Sequence, residues 1–296
     1  MDNLTHSLVG LALAESGLKR RTSLATATLI VGANFPDIDV VAVPLGVGIQ
    51  YRRGITHGFL ALAVLPFVLA GIMLLYDTHV RRRRYPGAPP ADLRQLAILS
   101  AIAIATHPIL DFMNTYGMRW LMPFADKWFY ADGLFIVDFW LLVTLILGVV
   151  WSARSKSERP ARVALAGVAV YITAMLVITG VGRARVASEF PGHRFMVEPN
   201  GIVPWRRDVL VEQASWYQFG TYRLPGELWM APNGLPKGDS DPAVAAAKQH
   251  PDARAFLRWA RFPMYSQTRT NGHTVVRISD ARYEGAGWAS VEVTLP

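Results

Sequence analysis

The segment ATHPILDFMNTYG, from Ala105 to Gly117, joins a membrane-like apolar sequence to potential metal ligands. It closes an apolar run, Leu96–Thr106, and it carries His107 and Asp111. On a helix, residues four apart share a face and lie about 6 Å apart along the axis. An imidazole and a carboxylate at this spacing can hold one divalent metal ion, or they can form a simple hydrogen-bonded pair. Whether the pair binds a metal or only forms a hydrogen bond depends on which other polar side chains of the chain lie close to it.

The composition indicates a chain that is partly embedded in a membrane. Hydrophobic residues make up 52% of its 296 residues, and the mean hydropathy is +0.24. The apolar residues are concentrated before about residue 182. The net charge is +8, but the arginine clusters flank apolar segments, which is typical of membrane topology, so no nucleic-acid partner is expected. The absence of cysteine excludes disulfides, cysteine zinc sites and cysteine nucleophiles.

Residues 1–185 are predicted to form a polytopic transmembrane helical bundle, which makes the fold mainly α. A membrane crossing needs about 20 residues, and the first predicted helix is short by that measure. Pro36 breaks or kinks the second helix, within Asn34–Asp39. The predicted apolar helices are Leu4–Leu18, Ser23–Leu45, Ile55–Tyr76, Leu93–Met113, Leu134–Trp151 and Val163–Val181.

Residues 190–296 differ in composition from the apolar first part and are predicted to form a small extramembrane α+β domain. Val209–Arg223 and Thr274–Ser279 are rich in β-branched and aromatic residues, whereas Pro242–Trp259 has a helical pattern. Turn signals separate these segments at Pro232-Asn233-Gly234 and at Asn271-Gly272.

The basic clusters predict which ends of the helices meet. Positive charge prefers the cytoplasmic side, so Lys19–Arg21, Arg81–Arg84 and Arg154–Arg162 are expected inside. The site and the C-terminal domain are then expected outside, with Asp138 one turn into its helix. Arg52 and Arg53 break the charge pattern and are candidate contacts for an anionic substrate. The side chains expected together at the outer end are His6, Asp37, Asp39, His57, His107 and Asp111.

Imidazole and carboxylate ligands without cysteine suit Zn²⁺, Mn²⁺ or Fe²⁺. Two ions about 3.5–4 Å apart can clamp a phosphoryl group, and a bound ion lowers the pKa of its water to about 7. The predicted reaction is attack of metal-activated water on a phosphoester, with Asp37, Asp39 and Asp138 as candidate catalytic carboxylates. Asp138 is expected to orient a ligand histidine or to pair with Arg119, in preference to binding the ion itself.

Several short motifs, taken as an ordered set, resemble a known family. The set is similar to the bacterial inner-membrane-associated metal-dependent hydrolases, some of which are described as LexA-binding, and it covers roughly residues 1–180. The resemblance implies an inner-membrane protein with a metal site and hydrolase activity. The motifs are Thr5-His6, Asn34–Asp39 (NFPDID), Arg53–His57 (RGITH), His107–Asp111 (HPILD) and Asn114–Gly117 (NTYG).

The order His, Asp, His, His-x-x-x-Asp is also similar, more distantly, to the helical zinc-dependent phospholipases C and P1-type nucleases. This likeness implies a zinc site, with Asp111 or an N-terminal aspartate bridging two ions. A third ion is not expected, because no histidine lies between His107 and His193. The ligands that the likeness implies are His6, Asp37 or Asp39, His57, His107 and Asp111.

The predicted function is therefore a membrane-bound metal-dependent hydrolase that acts on a phospholipid or a lipid-linked phosphoester. Membrane lipids are the expected partners. One alternative is a carrier that binds an ion with the same His/Asp set, which predicts inverted repeats and a site at mid-depth. Another is a non-enzymatic membrane adaptor that binds a protein partner through residues 190–296, for which the His/Asp set is dispensable.

Overall fold

A computed structural model of the protein describes residues 1–45, 52–270 and 272–296. The chain forms two compact units. The first comprises Met1–Val177 and Pro199–Pro204, and the second comprises Ile178–Glu198 and Trp205–Pro296. The first unit is helical, and the second carries the β-strands.

Six helices account for most of the described residues up to Glu189, and the last of them runs from the first unit into the second. The third helix runs on through a π-helical turn, Asp77–Arg81, to Arg84. The helices are α1 (Asn3–Glu15), α2 (Ala25–Asn34), α3 (Phe59–Tyr76), α4 (Leu93–Phe112), α5 (Phe139–Ser155) and α6 (Arg159–Glu189).

Three helices in the described part of the chain are long and apolar enough to cross a membrane: Phe59–Arg84, Leu93–Phe112 and Arg159–Glu189. Large apolar side chains on them face outward, such as Phe67, which is 71% exposed. Apolar side chains on the outside of a long helix are typical of contact with lipid. A mainly helical membrane protein with C-terminal β-structure is therefore confirmed, whereas a bundle with more crossings stays a prediction.

The other predicted crossings are shorter than the sequence suggested. Helices α1, α2 and α5 contain 13, 10 and 17 residues. Helix α2 ends at Asn34, and a 3₁₀ helix, Phe35–Leu45, follows it. The α-helix stops two residues before Pro36, which has no backbone N–H to donate to the carbonyl of Gly32.

Small residues bring the backbones of α1, α2 and α4 close together. A Cβ atom on Gly10 of α1 would lie 2.6 Å from the carbonyl oxygen of Leu29, and one on Gly32 of α2 would lie 2.8 Å from Cβ of Ala103. Only glycine fits at such crossings. Ala14, Ala25, Leu29, Ala33, Leu99 and Ala103 form a buried apolar cluster at this junction. The close approach of α2 and α4 positions the polar groups that follow.

The second unit contains two sheets. One has the strand order β1-β2-β3-β4 and the other the order β5-β6-β7. Helices α7 (Pro242–Ala247) and α8 (Pro251–Trp259) lie between them in sequence, where a helical pattern was predicted. The strands are β1 (Phe195–Pro199), β2 (Arg206–Glu212), β3 (Trp216–Arg223), β4 (Glu227–Pro236), β5 (Pro263–Thr270), β6 (His273–Asp280) and β7 (Ser290–Leu295).

The predicted turn at Pro232-Asn233-Gly234 is wrong, because these residues lie within β4. The pairing of β3 with β4 shifts register between Gln218 and Gly220, so an irregular stretch of strand takes the place of a turn. The other predicted turn includes Asn271, which lies outside the described residues.

Candidate metal centre

Four side chains from three separate stretches of sequence meet in the first unit: Asp37, His57, His107 and Asp111. One ligand atom from each lies within 4.8 Å of the ligand atoms of the other three, and all four residues are buried. Asp37 comes from the 3₁₀ helix, His57 from the turn before α3, and His107 and Asp111 from α4. The i, i+4 pair of α4 therefore belongs to a larger cluster.

His107 is oriented by the backbone of α2. Its Nδ1 lies 2.7 Å from the carbonyl oxygen of Ala33, to which it donates a hydrogen bond. Donation from Nδ1 leaves the lone pair of a neutral ring on Nε2. The close crossing of α2 and α4 thus aims Nε2 of His107 at the centre of the cluster.

Neighbouring side chains hold Nδ1 of His57, so that its Nε2 also faces the cluster. Its Nδ1 lies 3.0 Å from the hydroxyl of Thr56 and 3.5 Å from Oδ2 of Asp39. A carboxylate behind the outer ring nitrogen is the usual support of a metal-ligating histidine. Complete burial lowers the pKa of His57 below its ordinary value, which favours the neutral, ligating form.

The geometry of the cluster fits a divalent cation. The two Nε2 atoms lie 3.1 Å apart, and both lie 3.5 Å from Oδ2 of Asp111. Oδ1 of Asp37 is 3.8 Å from the Nε2 of His57 and 3.7 Å from that of His107. Two nitrogen ligands of tetrahedral zinc, with bonds of about 2.0–2.1 Å, lie about 3.3–3.4 Å apart. The observed separations are close to those of four ligands that share one ion.

Asp111 also has contacts on its other oxygen. Oδ1 lies 3.3 Å from Nε2 of His6, and the ammonium nitrogen of Met1 donates to it. The ring of His6 stacks on that of His107, with the centroids 3.8 Å apart. The structure therefore brings the predicted ligand His6 to the cluster, on the opposite side of the Asp111 carboxylate from His57.

Arg53 was predicted to contact substrate, but its side chain is buried and holds Asp111. Its Nε lies 2.9 Å from Oδ2 of Asp111. Its Nη1 donates to Oδ1 of Asn114 at 2.9 Å and to the carbonyl oxygen of Gly117 at 3.2 Å. The ring of Tyr116 covers the guanidinium at 4.7 Å. These contacts favour a positioning role for Arg53.

Asn114 and Tyr116, which belong to the NTYG motif, were not among the predicted site residues. Oδ1 of Asn114 also accepts a hydrogen bond from the backbone N–H of Tyr116 at 2.9 Å. Gly117 follows with a φ of +82°, and a Cβ there would lie 2.3 Å from the ring of Tyr130. The Asn-x-Tyr-Gly pattern was therefore the signal for the turn that receives Arg53.

Arg52 and Asp39 form the outer part of the site. Arg52 is 3.3 Å from Oδ1 of Asp37 and 2.7 Å from Oδ1 of Asp39, and its side chain keeps 24% of its surface exposed. Burial would lower the pKa of Arg52, but the two carboxylates outweigh burial and raise the pKa. Oδ2 of Asp39 accepts the backbone N–H of Arg53 at 2.7 Å. The contacts of Asp39 are those of a residue that supports His57, and its direct binding of metal stays a prediction.

Asp138 caps helix α5. Its Oδ1 accepts the backbone N–H of Leu141 at 3.1 Å, and its Oδ2 accepts the hydroxyl of Tyr171 at 3.1 Å. These bonds explain a buried aspartate at this position through helix capping. The catalytic assignment of Asp138 stays a prediction.

Comparison with known proteins places the chain among membrane proteins. Residues 1–186 match the model of a family described as YdjM inner membrane protein. The chain is 23% identical to the uncharacterized protein YfhP of Bacillus subtilis (strain 168), over 97% of this chain and 88% of that protein. No solved structure is significantly similar to the chain. Because the family match spans more than half of its length, the chain belongs to the YdjM inner membrane protein family.

Proposed function

We propose that this protein is a membrane-bound metal-dependent hydrolase that acts on a phosphoester. The observation that supports this most strongly is the convergence of His57, His107, Asp37 and Asp111 on one buried position. Buried carboxylates and imidazoles in a membrane protein are costly unless they have a function or a partner. A divalent ion held there would supply Lewis acidity and make water acidic enough to react at neutral pH.

The residues around the cluster have distinct parts in this proposal. The side chain of Arg52 keeps exposed surface, whereas that of Arg53 is buried. Arg52 is therefore the better contact for the substrate phosphate. Arg53 fixes the carboxylate of Asp111, and Asp39 fixes the ring of His57. The ligand positions are thus held by close contacts with charged side chains before any substrate binds.

Zinc is the ion we propose first, and manganese or iron suits the same donors. One ion fits the side of Asp111 that faces His57 and His107. His6 and Asp111 would be the residues that hold a second ion, which would take the place of the Met1 ammonium now bonded to Asp111. Whether the site holds one ion or two therefore depends on whether His6 binds metal.

The site is proposed to lie at the outer face of the bacterial inner membrane. Helix α3 begins near His57 and runs on to Arg81–Arg84, and α4 ends at His107 and Asp111. The basic cluster is thus at the far end of α3 from the site, and positive charge prefers the cytoplasm. We therefore propose a phospholipid or lipid-linked phosphoester as substrate.

Hydrolysis assays on the full-length protein in nanodiscs test this proposal. Phospholipids and a water-soluble phosphodiester are offered with and without added Zn²⁺ or Mn²⁺. His107→Ala is expected to lower turnover by about 100-fold or more, whereas His273→Ala, at an exposed position in β6, leaves it unchanged. Equal turnover in both variants, or turnover that chelators do not affect, would contradict the proposal. If His107→Ala kept the cellular function of the protein and residues 190–296 bound a protein partner, the non-enzymatic adaptor would be favoured.

A further inference from the structure

A groove runs along the surface of α2 and the following 3₁₀ helix, and its polar lining consists of Asn3, Asn34 and Asp37. Its volume is about 440 Å³, which lies within the range of small-molecule sites, roughly 300–1,000 Å³. The apolar side chains that line it are Ile30, Val31, Phe35 and Ile38, and Asp37 lies among them. Asp37 is also a member of the metal cluster, so the groove and the cluster share one carboxylate.

The surface around this groove is apolar although α2 is too short to cross a membrane. Val31 is 43% exposed and Ile38 is 50% exposed. Leu4, which follows the lining residue Asn3, and Val40 and Val41, which follow Ile38, also expose more than half of their surfaces. An exposed apolar patch of this kind marks contact with a membrane or a ligand. Because the family is an inner membrane family, acyl chains of bilayer phospholipids are the apolar groups at hand.

The chemistry beside Asp37 differs from that of the apolar lining. Nη2 of Arg52 lies 3.3 Å from Oδ1 of Asp37, and the Arg52 side chain retains exposed surface. A guanidinium beside a cation site suits a phosphate oxygen. An apolar channel that leads to such a pair is complementary to an amphiphile with a phosphate head and a hydrocarbon tail.

We propose that the groove holds one acyl chain of a phospholipid whose phosphate lies at Asp37 and Arg52. This inference rests on the proposed function and names its substrate as a lipid drawn from the bilayer, in preference to a water-soluble phosphoester. The lipid reaches the metal centre sideways, along α2, without leaving the membrane.

Photocrosslinking tests the groove without any need for turnover. A photoreactive residue replaces Val31 in one sample and Phe67, on the lipid-facing surface of α3, in the control. Full-length protein in phospholipid nanodiscs is irradiated, and the attached phospholipid is measured by mass spectrometry. Arg52→Ala is then expected to reduce crosslinking from position 31 about tenfold and to leave position 67 unchanged, and Arg52→Lys is expected to restore part of it. Equal crosslinking at position 31 with and without Arg52 would show ordinary bilayer contact and overturn the proposal.

A kinetic experiment separates this inference from the proposed function. Ile38→Asn is expected to lower the ratio of turnover of a long-chain phospholipid to that of a water-soluble phosphodiester about tenfold, and Phe67→Asn leaves the ratio unaltered. An unchanged ratio in Ile38→Asn would overturn the groove while hydrolysis itself stands. Crosslinking that depends on Arg52, with no hydrolysis of any phosphoester, would support the groove and contradict the hydrolase.

Discussion

The Nε2 atoms of His57 and His107 face each other at 3.1 Å, while the opposite nitrogen of each ring is held from behind. Ala33 accepts from Nδ1 of His107, and Thr56 and Asp39 lie against Nδ1 of His57. Two lone pairs that point at each other repel unless a proton or a cation lies between them. The carboxylate oxygens of Asp37 and Asp111 at 3.5–3.8 Å favour a cation.

Asp39→Asn is expected to weaken metal binding about 10–100-fold, because it removes the carboxylate that supports His57. The metal dissociation constant of the purified protein, measured by competition with a chromophoric chelator, checks this. Asp208→Asn, in the second unit, removes a carboxylate from the largely exposed pair with Arg206 and serves as the control. An unchanged dissociation constant in Asp39→Asn would show that the ring of His57 is fixed without it.

Asp111→Ala is expected to destabilise the first unit by about 3–5 kcal/mol, because it leaves the buried guanidinium of Arg53 without its carboxylate. Thermal unfolding in detergent, followed by circular dichroism, measures the change. Glu189→Ala breaks a pair with Arg185 that is exposed on both sides, and it is expected to cost less than about 1 kcal/mol. Similar losses in the two variants would mean that Arg53 finds other partners.

Gly32→Leu is expected to separate α2 from α4 and to abolish metal binding together with about 1–3 kcal/mol of stability. A Cβ at this position already meets Ala103 at 2.8 Å, and the carbonyl of Ala33 next to it orients His107. Gly71→Leu in α3 is the matched control, because no described atom lies within 4 Å of a Cβ there. Full metal binding in Gly32→Leu would show that the crossing does not set the site.

The second unit is expected to lose stability in acid through Asp280. Burial raises the pKa of this carboxyl, but the charge and hydrogen bonds of Arg282 outweigh burial and hold the pKa below its ordinary value. A depressed pKa in the folded state stabilises the protein above the unfolded pKa of about 3.9, and the contribution is lost as the pH falls below that.

Tryptophan fluorescence during urea unfolding of the full chain, between about pH 3 and pH 6, checks this loss. Trp259 is a suitable reporter because Arg282 stacks on its ring at 4.7 Å. In Asp280→Asn the acid-dependent loss should be smaller than in the unmodified protein. An identical pH dependence in the two proteins would assign the effect to other groups.

A reporter fused after Pro296 is expected to lie on the periplasmic side. The expectation follows from the basic clusters, because loops rich in arginine and lysine prefer the cytoplasmic side of the membrane. An alkaline phosphatase fusion should be active and a green fluorescent protein fusion dark. The reverse pattern would overturn the sidedness of the site while leaving its metal chemistry intact.

The residues of the candidate site were easier to predict from the sequence than the membrane topology was. Asp37, His57, His107 and Asp111 were predicted to meet, and one buried cluster contains all four. The i, i+4 spacing of His107 and Asp111 was a local signal, and charged groups in apolar sequence pointed to the rest. The buried contacts of Arg53 could not be predicted because they depend on a turn at Asn114–Gly117, far away in sequence, and its contact with a substrate stays a prediction.

The helix lengths were harder to predict because apolar composition does not show where an α-helix changes to a 3₁₀ helix. Ser23–Leu45 is apolar enough to suggest one crossing, yet α2 ends at Asn34. In the second unit, Pro232-Asn233-Gly234 has the composition of a turn but continues β4, because pairing with β3 overrides local preference.

X-ray absorption at the metal edge, on full-length protein purified without chelators, tests the metal centre most directly. The expected result is a stoichiometric divalent ion with imidazole nitrogens and carboxylate oxygens, at about 2.0–2.2 Å if the ion is zinc. His107→Ala should lose the ion or one nitrogen from its coordination shell. A protein that carries no divalent ion after incubation with Zn²⁺ and Mn²⁺, or a spectrum that His107→Ala leaves unchanged, would contradict the account.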